Sequence, residues 1–228
     1  MATTPSKPFR GLAEQLEKVR SSLEVIASNV NADHDLSDDG KNNAWTRYTA
    51  PHRTYIAQVE VALETISMSI DKAFNDARDK ALPTATTDTS KLVVEMELQR
   101  IINRGIPESV DGIYKLVTSH EPSPTRTALI EELEARGRLS DEMVSGILKE
   151  TSPEVAAATE MMIQHARINS VFGYNLRTMY KALDDRKAIF NHWVNVTRSD
   201  ADYDMEVPVT VFVPPFKPTN AETVYRAS

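Results

Sequence analysis

Residues 51–83, PHRTYIAQVEVALETISMSIDKAFNDARDKALP, carry a long and regular apolar pattern. Apolar residues recur there at alternating steps of three and four, which places them on one face of a helix. They are Ile56, Val59, Leu63, Ile66, Ile70, Ala73 and Ala77. Pro51 suits a first helical turn and Pro83 cannot continue a helix, so we expect a helix from Pro51 to Leu82. It would be roughly 48 Å long, at about 1.5 Å per residue.

A second stretch with the same spacing precedes this one. Its apolar positions are Phe9, Leu12, Leu16, Val19, Leu23, Ile26 and Val30. Two long amphipathic helices separated by a polar connection predict either an antiparallel hairpin within the chain or a helix pair shared between subunits. We take Leu63, Ile66 and Ile70 as the candidate helix–helix interface in both cases.

The polar connection, residues 31–40 (NADHDLSDDG), is rich in aspartate. From Asp35 to Gly40 it imitates the first half of a calcium-binding loop, in which alternate side-chain oxygens surround the ion. The twelfth loop position is Thr46, where such a loop needs a bidentate glutamate. We therefore expect a solvated loop that leads into a short helix near Trp45, and no metal site.

The composition limits the classes of function. A formal net charge of -7 and a pI near 5.3 argue against sequence-independent binding of nucleic acid, because phosphate neutralisation needs clustered lysine and arginine. The absence of cysteine excludes disulfides, thiolate zinc sites and thiol nucleophiles. No apolar run has the roughly 20 residues of a membrane span, and the first residues lack an apolar signal core. We expect a cytoplasmic or virion protein that is not secreted and does not bind a membrane.

Residues 125–170 predict a series of short capped helices. In helix spacing, LIEELEARGRLSDEMVSGILKETSPEVAAAT (residues 129–159) resembles the helix-turn-helix core of winged-helix regulators, which implies DNA reading by the third helix. That helix departs from the pattern, since its first turns hold Glu154, Glu160 and alanines where side chains that reach base edges are needed. A basic surface would have to come from Arg126, Arg136, Arg138 and Arg167.

The pattern changes to a period of two at residues 207–213, VPVTVFV, which predicts a β-strand. The sequence predicts no second strand, and prolines restrict this one to an edge position. Either the segment pairs with another chain as a donated arm, or it is an extended tail that covers the chain's own helices. Val209, Val211 and Phe212 are the candidate contact residues of such an arm.

These patterns predict a mainly α protein with a long-helix hairpin or bundle, a small three-helix module and one C-terminal extended β arm. The expected divisions are an N-terminal arm (1–8), the helical hairpin or bundle (9–119), the helical module (125–198) and the C-terminal arm (199–228). Each division follows a change in composition or in the period of the apolar residues.

Local signatures of enzymes are missing. The seven glycines form neither a phosphate-binding loop nor a G-x-S-x-G turn, and the five histidines lack the spacing of metal ligands on a helix. We therefore name no catalytic, cofactor-binding or metal-binding residue. We expect a non-enzymatic structural protein that assembles through helical interfaces and exchanged terminal arms. Its partners would be further copies of itself or other subunits of a larger particle, such as a virion or phage. The alternative is a helix-turn-helix regulator or a DNA-packaging adaptor.

Overall fold

The computed structural model describes residues 6–187, 193 and 201–217. Within these residues the chain forms seven α-helices, one short 3-10 helix and no β-strand, so the predicted mainly α class is confirmed. The helices are α1 (Pro8–Ala32), α2 (Asp38–Ala81), α3 (Asp88–Asn103), α4 (Val110–Thr118), α5 (Pro124–Ala135), α6 (Asp141–Thr151), α7 (Pro153–Asp184) and the 3-10 helix (Ala201–Asp204).

The chain divides into two compact units. Unit 1 consists of residues 1–69 and 163–228, and unit 2 consists of residues 70–162. Because α2 and α7 each cross a division point, each helix contributes one part to each unit. Residues 120–124, which separate the two predicted helical parts, lie within unit 2.

In unit 1, α1 buries the stripe of apolar residues that the sequence predicts, together with Ala13. The unit 1 part of α2 buries Ile56, Val59, Leu63 and Ile66. A buried aliphatic side chain contributes about 1.5–3 kcal/mol relative to an exposed one, so these two stripes contribute strongly to the stability of unit 1.

Helix α2 begins at Asp38 and continues through Pro51, so the prediction that a separate helix begins at Pro51 is wrong. A proline inside a helix removes one backbone hydrogen bond and costs about 3 kcal/mol. Packing on both sides of Pro51 offsets this cost. Trp45 is buried and its Nε1 donates to the carbonyl of Leu183 at 3.0 Å, and His52 is fully buried.

Polar and ring contacts at two places in unit 1 show the directions of its three helices. Arg186, just after α7, donates to Asn31 at the end of α1 and to Asp38 at the start of α2, the latter at 2.8 Å. Away from this end, the ring of Phe9 in α1 lies 6.1 Å from the ring of His165 in α7. Helices α1 and α7 therefore run in the same direction, and α2 runs against both.

The predicted strand at residues 207–213 is absent, and this prediction is wrong. Val207 forms a single antiparallel bridge with Ser6, with N···O distances of 2.9 and 3.2 Å. The next residue, Pro208, lacks the N–H that a ladder needs. Of the N-terminal arm, residues 1–5 lie outside the described residues. The described C-terminal segment lies over its own unit instead, since Val207 and Phe216 are buried there.

Helices α3 to α6 form unit 2 together with the adjoining parts of α2 and α7. Serine hydroxyls at positions 109, 123 and 140 cap the N-termini of α4, α5 and α6. The core of unit 2 is apolar, and its largest fully buried members are Ile113, Leu129, Ile130 and Leu133. Leu98 and Ile101 of α3 pack against this core, yet no residue of α3 is itself buried.

Candidate functional site

Ser22 and His52 have the residue types of a hydrolytic pair, with His52 Nε2 only 2.9 Å from Ser22 Oγ. Burial lowers the pKa of His52 to about 4, which makes it a poor base near neutral pH. Its Nδ1 has no hydrogen-bond partner among the described residues, so no carboxylate orients the ring. Ser22 also lies within α1, whose backbone N–H groups bond to the helix itself and cannot form an oxyanion hole. The pair is a partly buried structural contact.

A second pair, Ser67 and His165, also lies in unit 1, with Oγ and Nε2 3.2 Å apart. Ser67 is part of α2 and its hydroxyl lies 3.0 Å from the carbonyl of Leu63, so the backbone N–H groups around it belong to the helix and cannot form an oxyanion hole either. Over the described part of the chain, no group of three histidine, aspartate or glutamate side chains is placed to hold a metal ion.

Leu63, Ile66 and Ile70, the candidate helical interface, are all buried by the chain itself. Leu63 and Ile66 belong to unit 1 and Ile70 belongs to unit 2. Their burial favours the arrangement within one chain over the arrangement between subunits. A partner could touch these side chains only after a local opening of the fold.

The candidate residues of the C-terminal segment are more exposed to solvent than those of the helical interface. Val209 and Val211 are half-buried, whereas Phe212 is 84% exposed, the highest value for a large apolar side chain in the described part of the chain. Contact with a partner would remove much of this ring from water, which is why exposed aromatic side chains often anchor protein interfaces.

An open groove with a volume of about 830 Å³ adjoins Phe212. One side is the segment from Thr210 to Pro214 and the other is the outer face of α2. The α2 side includes Ala57 and Val61, and Val61 is itself exposed. We call Phe212, Val211, Ala57, Val61 and the groove between them the Phe212 surface. Among the described residues that line the groove, Arg53 alone is charged.

The segment that carries Phe212 is held at both ends. On one side Val207 is buried and bridges to Ser6. On the other side the hydroxyl of Tyr55 donates to the carbonyl of Pro214 at 2.9 Å, and the ring of Phe216 packs 5.1 Å from that of Tyr55. Because these contacts fix the backbone on either side, Phe212 is displayed without the entropy cost of ordering a free tail.

Arg53 connects the groove to a polar edge formed by α2 and α7. It pairs with Asp184 at 2.6 Å and its guanidinium lies 6.0 Å from the ring centre of Tyr180. The Tyr180 hydroxyl donates to Glu60 at 2.6 Å. Burial, and then this bond to Glu60, raise the pKa of Tyr180 to about 12, so the hydroxyl stays protonated at neutral pH. The groove thus has an apolar floor and a fixed polar rim, as protein interfaces usually do.

Sequence reasoning named Phe212 but not the α2 side of this surface. It used the inward stripe of α2 and left Val61 and Met68 unassigned, although they are seven residues apart and thus share a helical face. Both are exposed. The sequence does contain a signal for this surface, since two large apolar residues on the polar face of a helix can mark a contact surface.

Three of the four arginines on which the DNA-binding alternative depends are engaged within the chain. Arg126 is buried and donates to Thr151 at 2.5 Å. Arg136 pairs with Glu132, and Arg138 donates to two backbone carbonyls, those of Pro107 and Glu108. Arg167 belongs to unit 1, whereas the other three belong to unit 2.

In the part of the chain that the structure describes, no helix is both long and apolar enough to cross a membrane. Comparison of the chain with protein-family models, with curated proteins and with solved structures found no significant match. The geometry of the chain's own residues therefore carries the functional argument.

Proposed function

We propose that this protein is a non-enzymatic assembly protein that forms homo-oligomers through the Phe212 surface. The observation that carries the proposal is the exposed Phe212 ring, held on an anchored segment beside an open apolar groove. A large aromatic side chain that is preorganised and surrounded by few charges has the properties of an interface hot spot.

A second copy of the chain is the partner that suits this surface best. A two-fold interface brings the same patch of both subunits together, so the patch must hold both a projecting group and a space that accepts it. The Phe212 surface has both, since the ring projects next to a groove of about 830 Å³. In the proposed contact each Phe212 enters the groove of the other subunit.

The same contact could contribute to a particle larger than a dimer. We propose that this protein is a component of such a particle, a virion or phage. The acidic net charge of -7 keeps isolated copies soluble until their apolar surfaces meet. In a mixed particle, the groove would receive an apolar or aromatic side chain of another subunit in the same way.

We do not advance DNA binding as a second function. Its basic surface would need guanidinium groups that are free to reach phosphates, and Arg126, Arg136 and Arg138 are bonded to groups of their own unit. Arg126 is also buried away from solvent, and this burial lowers the pKa of its guanidinium.

The test is the absolute mass of the full-length protein in solution, measured by light scattering for wild type, Phe212→Ser and Val25→Ser. Val25 is the matched control, because it is an exposed apolar residue on α1. We expect wild type and V25S to be oligomers, with a mass of at least two chains of 25.5 kDa each. F212S should dissociate at concentrations at least about 30-fold higher, since losing a hot-spot aromatic costs about 2 kcal/mol or more.

A monomeric wild-type protein at high concentration would contradict the proposal, and so would an unchanged mass of F212S. Deleting residues 207–228 is a less selective test. It removes Val207 and Phe216, which are buried in unit 1, and would expose core residues at the same time. The single substitution changes only the projecting ring.

A further inference from the structure

Helix α3 presents large apolar side chains to solvent. Leu92 is 59% exposed and Met96 is 60% exposed, one helical turn apart on one face, and Val93 beside them is also exposed. A shallow cavity of about 650 Å³ runs along this face, and its lining includes Leu92, Glu95, Met96, Gln99, Arg100 and Asn103. We call these six residues the α3 face.

The α3 face points away from the core of unit 2. Leu98 and Ile101 pack against that core. At 100° per residue, Leu92 and Met96 lie on roughly the opposite side of the helix from Leu98 and Ile101. Two copies that meet through the α3 face would therefore place their unit 2 cores on opposite sides of the contact.

The spacing of the face matches a heptad repeat. Leu92 and Gln99 take d positions, and Met96 and Asn103 take a positions. Glu95 then falls at g and Arg100 at the following e position, five residues later. In a parallel coiled coil, a g residue of one helix lies next to the e residue five positions later on the other helix. Neither Glu95 nor Arg100 belongs to an ion pair with another described residue of the chain.

We propose that α3 pairs with α3 of a second copy, parallel and in register, about a two-fold axis that runs along the helix pair. Leu92 and Met96 pack against their own counterparts, and Glu95 of each copy pairs with Arg100 of the other. This inference deepens the proposed function, since it rests on self-association, but it uses a helix that has no part in the Phe212 surface.

Charge determines the direction of the pairing. Asp88 and Glu95 lie on one flank of the α3 face, and Arg100 lies on the other. An antiparallel pair brings equal flanks together and would set carboxylates against carboxylates. A parallel pair brings the acidic flank against the basic flank. Asn103 at an a position also favours a parallel dimer, because its amide can bond to its counterpart.

The contact is small, because each copy contributes only two large apolar side chains to it, Leu92 and Met96. Two features support binding despite this size. The helix is already held by unit 2 and by a complete capping box between Thr87 and Ser90, so pairing does not have to form the helix. Association through α3 is therefore weak and depends on concentration.

Two separate two-fold contacts on one chain have a consequence for assembly. A single self-complementary surface stops at a dimer. A chain that uses both the Phe212 surface and the α3 face joins a different neighbour through each, so growth continues into a filament or closes into a ring. Loss of either surface should leave dimers, and loss of both should leave monomers.

Cross-linking tests the register directly, because the natural chain has no cysteine. In the proposed pair, the two copies of residue 99 face each other at a d position. Gln99→Cys should therefore form a disulfide-linked dimer under mild oxidation. Lys91→Cys is the matched control, since Lys91 is exposed on the same helix but lies off the α3 face and should stay largely monomeric.

A charge exchange tests the Glu95–Arg100 pairing, measured in the F212S background so that α3 is the remaining contact. Glu95→Arg or Arg100→Glu alone should raise the dissociation constant of the dimer roughly tenfold, or about 1.4 kcal/mol. The double variant E95R/R100E restores opposite charges and should return the constant to within about threefold of its starting value.

The outcomes separate this inference from the proposed function. An oligomer that is sensitive to F212S, in which Q99C and K91C cross-link equally, would overturn the α3 pairing and leave the Phe212 surface in place. If Q99C cross-links and K91C does not, but F212S leaves the mass unchanged, then the Phe212 surface is overturned and the α3 pairing stands. A double charge variant that is weaker than both single variants would also overturn the parallel register.

Discussion

Helices α1 and α3 each have an apolar face, but only the face of α1 is buried by the rest of the chain. Helix α1 buries eight residues along its length, whereas α3 buries none and leaves Leu92, Val93 and Met96 in solvent. Both helices begin with a sequence signal for a helix start, Pro8 in α1 and Thr87 before α3. The difference shows that periodicity defines a helical face without specifying what covers that face.

The largest effect that would test this comparison comes from placing a charge on a buried helical face and, as a control, on an exposed one. Ile66 of α2 is fully buried (0% exposed), so Ile66→Asp places an unpaired carboxylate in the core of unit 1. We expect a loss of more than about 4 kcal/mol in the free energy of unfolding, enough to unfold the unit. Urea unfolding followed by circular dichroism measures it.

The matched control is Met96→Asp on the exposed face of α3. Its effect on the free energy of unfolding of the monomer should stay within about 0.5 kcal/mol, since the carboxylate is hydrated there. If both substitutions destabilise the monomer equally, then the chain's own residues cover this face of α3 and the contrast between the buried and the exposed face is wrong.

A milder pair of substitutions compares leucines of the two helices. Leu16 of α1 is buried and Leu92 of α3 is exposed. Leu16→Ala should cost about 2–5 kcal/mol, because it removes packed atoms and leaves a cavity. Leu92→Ala should change the stability of the monomer by less than about 0.5 kcal/mol. Equal losses, measured as shifts in the urea midpoint at constant slope, would contradict the assignment of their environments.

A smaller effect comes from His52, a fully buried titratable group in unit 1. Burial lowers the pKa of His52 from 6.5 to about 4, so between these values the unfolded chain binds more protons than the folded chain. The contribution of neutral His52 is complete above pH 6.5 and is lost as the pH falls towards 4. It amounts to about 3 kcal/mol.

Unfolding free energies of wild type and His52→Gln between pH 4 and pH 7 measure this contribution. The variant should lose this part of the pH dependence. Ser22→Ala is the control, because it removes the hydrogen-bond partner and leaves His52 buried. If S22A abolishes the pH dependence as completely as H52Q does, then the hydrogen bond, and not burial, is its cause.

Sequence patterns predicted the helical elements well where local signals agreed with packing. The apolar stripe of α1 and the short capped helices α5 and α6 lie where they were expected. The predictions failed where a local signal competed with tertiary contacts. Pro51 predicts a helix start, but Trp45 and His52 are buried on either side of it and the helix continues.

The C-terminal segment shows the same limit. Alternating valines predict a strand, but a strand needs a partner with matching N–H and C=O groups. Here Val207 finds one residue, Ser6, and Pro208 ends the pairing. The sequence placed Phe212 among the contact residues by its period, while the groove beside it depends on α2, which is about 150 residues away in the chain.

The sequence by itself determined the helical class, some helix ends and the faces that are able to pack, because spacing, caps and turn residues act over a few positions. The tertiary structure alone decided which apolar faces became core and which remained in solvent. That choice depends on the surface that other parts of the chain supply. In this protein they cover the stripe of α1 and leave Phe212 and the α3 face open.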